Sequence, residues 1–240
     1  RSLQSGTLNN FLSNLVLCLA ARKGMGIYMK AYEIKVTLKK SKPPIWRKII
    51  IPADINFMQL HNIIQVAFEW LNYHLYEFDF KELQERITNN SEACEEYEYY
   101  TSKEGKERLK AFGGFLPDLQ KTLYAKDVLI EKYFEKTKKF DYIYDFGDWW
   151  EHTVEVLKVF DDYEGACPVV TKFRQPSPPD DCGGIYGYYG FLAQYNDESD
   201  PEHEELHDWA EEQGYHEDYD LEDINSGIGE AMDFDSDDLM

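Results

Sequence analysis

Alternating apolar and polar residues predict the first two elements of the chain. Residues 32–38 place apolar side chains at every second position, which is the period of a half-buried β-strand. A second β-rich run, residues 45–51, follows a basic turn that contains proline, and it stops at Pro52. Because the connecting turn is short, we expect the two runs to form an antiparallel hairpin.

The apolar spacing then changes to the period of a helix. Apolar residues recur every three or four positions over residues 57–71, and Asp54 or Asn56 can cap the start of this helix. Residues 75–80 alternate again and predict a third strand. Residues 123–130 have the composition of one more short helix.

The most distinctive pattern is a hairpin rich in aromatic side chains. Residues 140–146 and 149–160 have the composition of strands, and Gly147-Asp148 between them fits a two-residue turn of type II′. We call residues 142–152 the aromatic hairpin. It is the sharpest feature of the sequence, so it is the first place to look for a site.

The expected turn also predicts which residues of the aromatic hairpin share a face. With Gly147-Asp148 as the loop, Asp145 pairs with Trp150, and Ile143 pairs with His152. Asp145 and His152 then lie on one face as diagonal neighbours, roughly 7–8 Å apart, within reach of a carboxylate–imidazole hydrogen bond. Such a pair occurs in general-base and metal-ligand arrangements, but an Asp beside a tight turn often bonds only the turn amides.

Taken together, the elements predict an α+β fold. Hairpins come first and helices later, without a repeating βα alternation. With a further strand expected at residues 169–173, we predict a mostly antiparallel sheet of about five strands. The helices at 56–71 and 186–195 are expected to pack on one face of that sheet.

The domain boundaries follow changes in composition. We expect a single α+β domain over residues 25–226, with a charged insertion at 82–122 that is partly helical. Residues 1–24 are expected to be an added or mis-assigned start, which could form a helix. Residues 227–240 are expected to be an acidic, disordered tail, because they combine dense negative charge with few apolar side chains.

The charge of the chain disfavours a polyanionic partner. Its net charge is −21, and residues 161–240 alone carry −22, with no Lys or Arg after Arg174. A nucleic acid would be repelled by most of this surface. The four cysteines form no CxxC pair, and the apolar run 11–21 is about half the roughly 20 residues that a membrane span requires. We therefore expect a cytoplasmic protein without a membrane segment.

Two kinds of site can be built on the aromatic hairpin. The first is an aromatic ligand pocket in which Asp145 and His152 are the polar anchors. Its expected lining is Trp46, Trp70, Tyr144, Asp145, Trp150, His152 and Tyr186. The second is the metal centre of a hydrolase acting on phosphoesters. Its candidate ligands are Asp145, Asp148, His152 and Asp181.

Other reactive residues carry weaker signals. Cys182 lies just before a predicted helix, where a thiol pKa can be lowered, although free cysteines are more often buried and inert. His203 and His207 fit the letters H-E-x-x-H, yet they lie in a run of acidic residues where a zinc-protease cleft is not expected. His61 lies among apolar positions and is interpreted as a core histidine.

Several blocks, in this order, resemble the plasmid pRiA Orf-three-like family, whose members are also described as passenger proteins of some insertion elements. The blocks are Pro44-Ile45-Trp46-Arg47, Leu60-His61, Tyr144-Asp145-Phe146-Gly147-Asp148 with Trp150-Glu151-His152, and Pro178-Pro179-Asp180-Asp181-Cys182-Gly183-Gly184. The resemblance covers roughly residues 28–226. It implies no reaction, cofactor or catalytic residue, because the family has none assigned.

The favoured interpretation is a binding or interaction module rather than an enzyme. No nucleophile–base–oxyanion set and no complete set of metal ligands can be read from the spacing. The metal-dependent hydrolase is the alternative, and a nucleic-acid-associated protein of mobile elements comes third. No cofactor is predicted, apart from a divalent metal under the alternative. The protein or small-molecule partner and the oligomeric state stay open.

Overall fold

The centre of the structure is a sheet of eight strands. The computed structural model describes residues 28–111, 119–218 and 220–234. The strands are Met29–Leu38 (β1), Trp46–Pro52 (β2), Tyr76–Phe80 (β3), Glu85–Thr88 (β4), Lys121–Tyr124 (β5), Lys139–Tyr144 (β6), Trp150–Tyr163 (β7) and Val169–Arg174 (β8). Their order is β5-β4-β3-β6-β7-β1-β2-β8. Neighbouring strands pair antiparallel, except β4 and β5, which pair parallel.

Seven helices accompany the sheet within the described residues. They are Phe57–Phe68 (α1), Ser91–Thr101 (α2), Lys103–Ala111 (α3), Glu131–Phe134 (α4), Gly184–Tyr195 (α5), His203–Glu212 (α6) and Leu221–Ile228 (α7). Within this part of the chain, none of the helices combines the length and apolarity needed to cross a bilayer. The fold is therefore mixed α+β with a mostly antiparallel sheet, as predicted.

Helix α1 begins and ends where its local sequence dictates. The Asn56 side chain accepts a hydrogen bond from Gln59 N at 2.9 Å, and the Gln59 side chain accepts one from Asn56 N at 3.0 Å. This reciprocal capping satisfies two backbone donors. The helix ends at Glu69, which adopts the left-handed conformation. Fully buried Arg47 donates from Nε to Ala67 O at 2.8 Å, which places a cation at the negative end of the helix.

The core lies between α1 and one face of the sheet. Alternate residues of β3 are buried, and Tyr76 and Phe78 contact α1 through ring pairs. Phe57 lies 5.0 Å from Phe78 between ring centroids, and the His61 ring stacks on Tyr76 at 3.5 Å. Helix α5 packs against α6 through Phe191 and other aromatic rings. The expectation that both α1 and α5 cover one face of the sheet stays a prediction.

The predicted strand number was too small. Strands β4 and β5 are each four residues long, and they lie where we expected the charged insertion and a helix. A four-residue strand with charged outward side chains shows too little alternation to be recognised in sequence. Their parallel pairing is a tertiary feature that no local pattern signals.

The expected disordered tail is ordered over its first part. A 3₁₀ turn at Glu230–Met232 follows α7, and Ala231 is buried. Side chains of α1 hold this segment, because Gln59 donates to Met232 O at 3.1 Å and Asn62 donates to Phe234 O at 2.8 Å. Backbone groups can fix an acidic segment even when its side chains remain in water. Residues 1–24 and 235–240 lie outside the described residues.

Candidate functional site

The strands of the aromatic hairpin pair in a different register from the predicted one. Tyr144 is opposite Trp150, and Tyr142 is opposite His152. Five residues, 145–149, connect the strands instead of two. The buried face of the hairpin is therefore made of Tyr142, Tyr144, Trp150 and His152, and Asp145 is not part of it. A shift of this kind changes the face on which a side chain lies.

Asp145 causes this change of register. Its backbone adopts the left-handed conformation, with φ of 55°. Its Oδ1 accepts a hydrogen bond from Gly147 N at 2.8 Å, and its carbonyl accepts one from Trp149 N at 2.7 Å. An Asp that binds its own turn amides leaves the strand one residue early. The prediction that Asp145 and His152 share one face is therefore wrong, and Asp145 bonds the amide of its own turn, as the alternative interpretation expected.

Four residues of the predicted pocket form closed core packing instead. Trp70 is 7 % exposed, and Tyr144, Trp150 and His152 are fully buried. The Trp70 ring centroid lies 5.2 Å from Tyr144, 5.6 Å from Trp150 and 5.3 Å from His152. These contacts fill the space in which a ligand would have to sit.

The other two aromatic residues of that set lie apart from this packing. Trp46 is partly buried at the start of β2, with Lys35 Nζ 5.1 Å above its ring. Tyr186 is 79 % exposed in the first turn of α5. A side chain that faces solvent and four that are buried cannot line one open pocket.

Two histidines are neutral parts of the core. His61 Nδ1 lies 2.8 Å from the Tyr142 hydroxyl, and its Nε2 lies 2.5 Å from Asn72 Oδ1. Burial lowers the pKa of His61 and of His152 to about 3. His61 is thus a core histidine, as its apolar surroundings in the sequence suggested. His152 lies among rings and cannot serve as a solvent-facing ligand.

Three loops meet beside the end of the aromatic hairpin, and we call them the loop face. They comprise residues 70–75, 145–149 and 178–184. Three hydrogen bonds tie the loops together: Asp145 N to Leu75 O at 2.9 Å, Gly183 N to Asp148 Oδ2 at 2.9 Å and Leu71 N to Asp180 Oδ2 at 3.3 Å. The loop face is therefore held by contacts between segments that are distant in sequence.

The close approach of two of these loops requires glycine at position 184. Gly184 has a φ of +67°, and a Cβ added there would lie 2.2 Å from Asp148 O. Both the left-handed backbone and the lack of space exclude a larger side chain. This contact brings residues 181–184 next to the hairpin loop.

The loop face gathers one histidine and two aspartates. His74 Nε2 lies 3.2 Å from Asp181 Oδ1, and His74 Nδ1 lies 3.9 Å from Asp145 Oδ1. One potential ligand atom from each of the three residues falls within 4.8 Å of the other two. The exposed fraction of the side chain is 61 % for Asp181, 31 % for His74 and 9 % for Asp145, so the group opens to solvent on the side of Asp181. We call it the His74–Asp145–Asp181 cluster.

A buried carboxylate lies next to the cluster. Asp180 is 1 % exposed, and its Oδ2 accepts hydrogen bonds from Leu71 N and from the Tyr144 hydroxyl, the latter at 3.1 Å. Burial raises the pKa of Asp180, and its charge interacts with His74 and Asp181. Its Oδ1 has no hydrogen-bond partner among the described residues. Such an oxygen is suited to a bound cation or to a water molecule on that cation.

The structure brings together two of the four predicted metal ligands. Asp145 and Asp181 belong to the cluster. Asp148 instead accepts a hydrogen bond from Gly183 N, and the histidine of the cluster is His74 rather than the predicted His152. His74 is not among the ligands predicted from the sequence. No local pattern marks it, because its proximity to Asp181 depends on contacts between loops that are distant in sequence.

The weaker reactive signals have structural explanations. Burial raises the pKa of the Cys182 thiol to about 12, so this cysteine is not activated by the helix that follows it. His207 stacks on the Tyr195 ring at 3.8 Å, and its Nε2 lies 3.0 Å from Tyr195 O. The H-E-x-x-H letters therefore describe a packed helix face.

The fold and the loop face define an α+β protein with a polar, solvent-facing cluster at the end of a buried aromatic hairpin. The family model of the plasmid pRiA4b ORF-3-like protein matches residues 30–227, so the chain belongs to this family. The family agrees with the resemblance that the sequence blocks suggested.

Two relatives share most of this chain. An uncharacterized protein of Sinorhizobium fredii, y4hQ, is 29 % identical over 188 residues, which cover 76 % of this chain and 82 % of the relative. The crystal structure of a protein of unknown function from Methanosarcina mazei, MM3350, matches with a TM-score of 0.62 at 27 % identity. That match covers 82 % of this chain and 98 % of the other. Neither name assigns a function, so the function has to be argued from the site.

Proposed function

We propose that the protein is a binding module that holds its ligand through a divalent cation in the His74–Asp145–Asp181 cluster. The observation that carries the proposal is the convergence of three donor atoms within 4.8 Å, from three loops that are fixed by hydrogen bonds. The buried carboxylate of Asp180, which interacts electrostatically with His74 and Asp181, also favours a cation there.

The donor types indicate which cations fit. One imidazole nitrogen and two carboxylate oxygens suit Mn²⁺, Fe²⁺ or Zn²⁺ better than Ca²⁺, which prefers oxygen ligands alone. Three protein donors leave coordination positions for water or for a ligand. The exposed Asp181 lies on the side from which such a ligand would arrive.

The loop face also suits a binding role better than the predicted aromatic pocket does. The Trp70 ring packs against Tyr144 and Trp150, and all three side chains are buried in the core. In the present proposal they have a supporting role, because Tyr144 holds Asp180 through its hydroxyl. The binding function therefore moves from the buried face of the aromatic hairpin to its loop end.

Calorimetric titration of chelator-treated protein with Mn²⁺ tests the proposal. We expect one Mn²⁺ per chain, and we expect Asp181→Asn to weaken binding by about tenfold or more, as loss of a ligand or its support does at metal sites. Because Asp181 is largely exposed, this substitution does not disturb the core. Asp208→Asn makes the same charge change on the exposed side of α6 and should leave binding unchanged.

Two results would contradict the proposal. The first is the absence of stoichiometric Mn²⁺ and Zn²⁺ binding by the parent protein. The second is equal weakening by Asp181→Asn and Asp208→Asn, which would show a diffuse effect of negative charge rather than a site.

A metal-dependent hydrolase is the second candidate, and the solvent-facing side of the cluster favours it. A cation there could carry a water molecule, lower its pKa and present it to a phosphoester. Under this candidate, bis(p-nitrophenyl) phosphate is hydrolysed in the presence of Mn²⁺, and the rate falls to background in Asp181→Asn. Stoichiometric cation binding without hydrolysis of the phosphoester would contradict the hydrolase and support the binding module.

A further inference from the structure

We propose that the ligand of the cation site is a mononucleotide, with its phosphate on the cation and its base stacked on exposed aromatic rings in the loop face or in the first turn of α5 beside it. This inference rests on the proposed function and adds the chemical class of the ligand. It is carried by a second set of residues, which take no part in the His74–Asp145–Asp181 cluster.

Three exposed aromatic side chains lie on the loops of the loop face or just after them in the chain. Tyr73 is 59 % exposed, Trp149 is 51 % exposed and Tyr186 is 79 % exposed. Each lies within two positions of a residue that joins the loops of the loop face. Consecutive Cα atoms are about 3.8 Å apart, so the Cα atom of each aromatic residue lies within about 8 Å of the Cα atom of a residue that joins two loops. Exposed large aromatic side chains on fixed loops are typical of binding surfaces.

The backbone of one of these residues supports a specific role. Trp149 has a φ of 57°, which is unusual for a bulky residue and is maintained by its hydrogen bond to Asp145 O. The loop therefore accepts a strained conformation and still leaves half of the indole in water. The Trp149 ring lies 5.9 Å from the Phe146 ring, but its solvent-facing half can stack on a planar ligand, whereas Trp70 and Trp150 are buried in the core.

Charge decides which planar ligand fits. The cluster and its neighbours contribute the carboxylates of Asp145, Asp148, Asp180 and Asp181. An anion can approach these groups only when a cation lies between them, and a divalent cation prefers phosphate oxygens as further ligands. A nucleotide has a group for each feature: its phosphate can bind the cation, and its base can stack on an aromatic ring.

The same charge limits the length of the ligand. The chain carries a net charge of −21, and residues 161–240 contain only two basic residues. A nucleic acid would bring many phosphates against this surface, but the cluster provides one cation. A mononucleotide needs only that cation, so the structure favours it over a strand of DNA or RNA.

Titration of the Mn²⁺-loaded protein with adenosine monophosphate, ribose 5-phosphate and adenosine separates the two halves of the ligand. We expect the nucleotide to bind about tenfold or more tightly than ribose 5-phosphate, because only the nucleotide stacks on a ring. Adenosine, which lacks the phosphate, should not bind measurably. Removal of Mn²⁺ by a chelator should abolish nucleotide binding.

Ring variants test where the base lies. Trp149→Ala and Tyr186→Ala should bring the affinity for the nucleotide down to that for ribose 5-phosphate, while the affinity for Mn²⁺ stays unchanged. Tyr28→Ala removes a tyrosine that is 66 % exposed and lies outside the loop face, just before β1, and should change neither affinity.

The outcomes distinguish this inference from the proposed function. If Mn²⁺ binds but the nucleotide and ribose 5-phosphate bind equally, or neither binds, the nucleotide inference is wrong and the cation module stands. Tighter binding of a ten-residue oligonucleotide than of the mononucleotide would also overturn it, in favour of nucleic acid. If Mn²⁺ itself does not bind, the proposed function fails, and this inference fails with it.

Discussion

His61 and His152 show how strongly the core constrains individual residues. Both rings are buried, and burial holds their pKa values at about 3, below the ordinary value of 6.5. Between these values the unfolded chain binds protons that the folded chain does not bind. The stability that the two neutral, buried histidines contribute is therefore complete above about pH 6.5, and it is lost as the pH falls toward about 3.

This difference predicts a steep loss of stability in acid. Each histidine contributes about 1.4 kcal/mol per pH unit in the window, so the free energy of unfolding should fall by about 2–3 kcal/mol between about pH 7.5 and about pH 5.5. Urea unfolding at the two pH values measures it. His152→Phe should halve the loss, because the neighbouring Phe68 and Trp70 rings suit another ring. An equal loss in parent and variant would show that His152 does not titrate as its burial implies.

At the scale of elements, the loop face depends on a contact that only glycine allows. Gly184→Ala would place a Cβ 2.2 Å from Asp148 O and strain the left-handed backbone. We expect a loss of about 1–3 kcal/mol in the free energy of unfolding and weaker cation binding, because residues 181–184 must move.

Gly190→Ala is the matched control for this prediction. It lies inside the same helix, α5, and nothing lies within 4 Å of an added Cβ. An interior alanine should stabilise this helix by up to about 1 kcal/mol. Thermal unfolding of both variants measures the difference. Equal behaviour would contradict the claim that residue 184 is a tight contact between loops.

The elements also show how far the sequence could predict the structure. Helix α1 and strand β1 have long, clear periods and a recognisable cap, so they could be placed. Strands β4 and β5 are too short for a period to appear. The register of the aromatic hairpin depended on Asp145, whose left-handed conformation cannot be distinguished in sequence from a Gly-Asp turn.

The candidate site was harder to predict, because its residues are brought together only by tertiary contacts. Asp145 and Asp181 could be named from their sequence blocks. His74 could not be chosen from among the six histidines, since its proximity to Asp181 depends on contacts of three loops. The choice of His152 failed because alternation in a strand does not show which face is buried.

At the scale of the whole molecule, the distribution of charge and of aromatic residues supports one account. The sheet and α1 bury most of the aromatic hairpin, while its loop end stays in water with exposed rings and carboxylates. The acidic surface attracts cations and repels polyanions. A cation in the His74–Asp145–Asp181 cluster is therefore the central claim, and the nucleotide depends on it.

Anomalous diffraction from crystals grown with Mn²⁺ tests this claim most directly. The account predicts a single strong anomalous peak on the loop face, at about 2.0–2.3 Å from a nitrogen of His74 and from carboxylate oxygens of Asp145 and Asp181. The peak should disappear in crystals of Asp181→Asn when both proteins are crystallised at an Mn²⁺ concentration near the Kd of the parent, because the weaker binding of the variant then leaves its site almost empty. A loop face without a peak in the parent protein, or a peak that persists in the variant, would contradict the account.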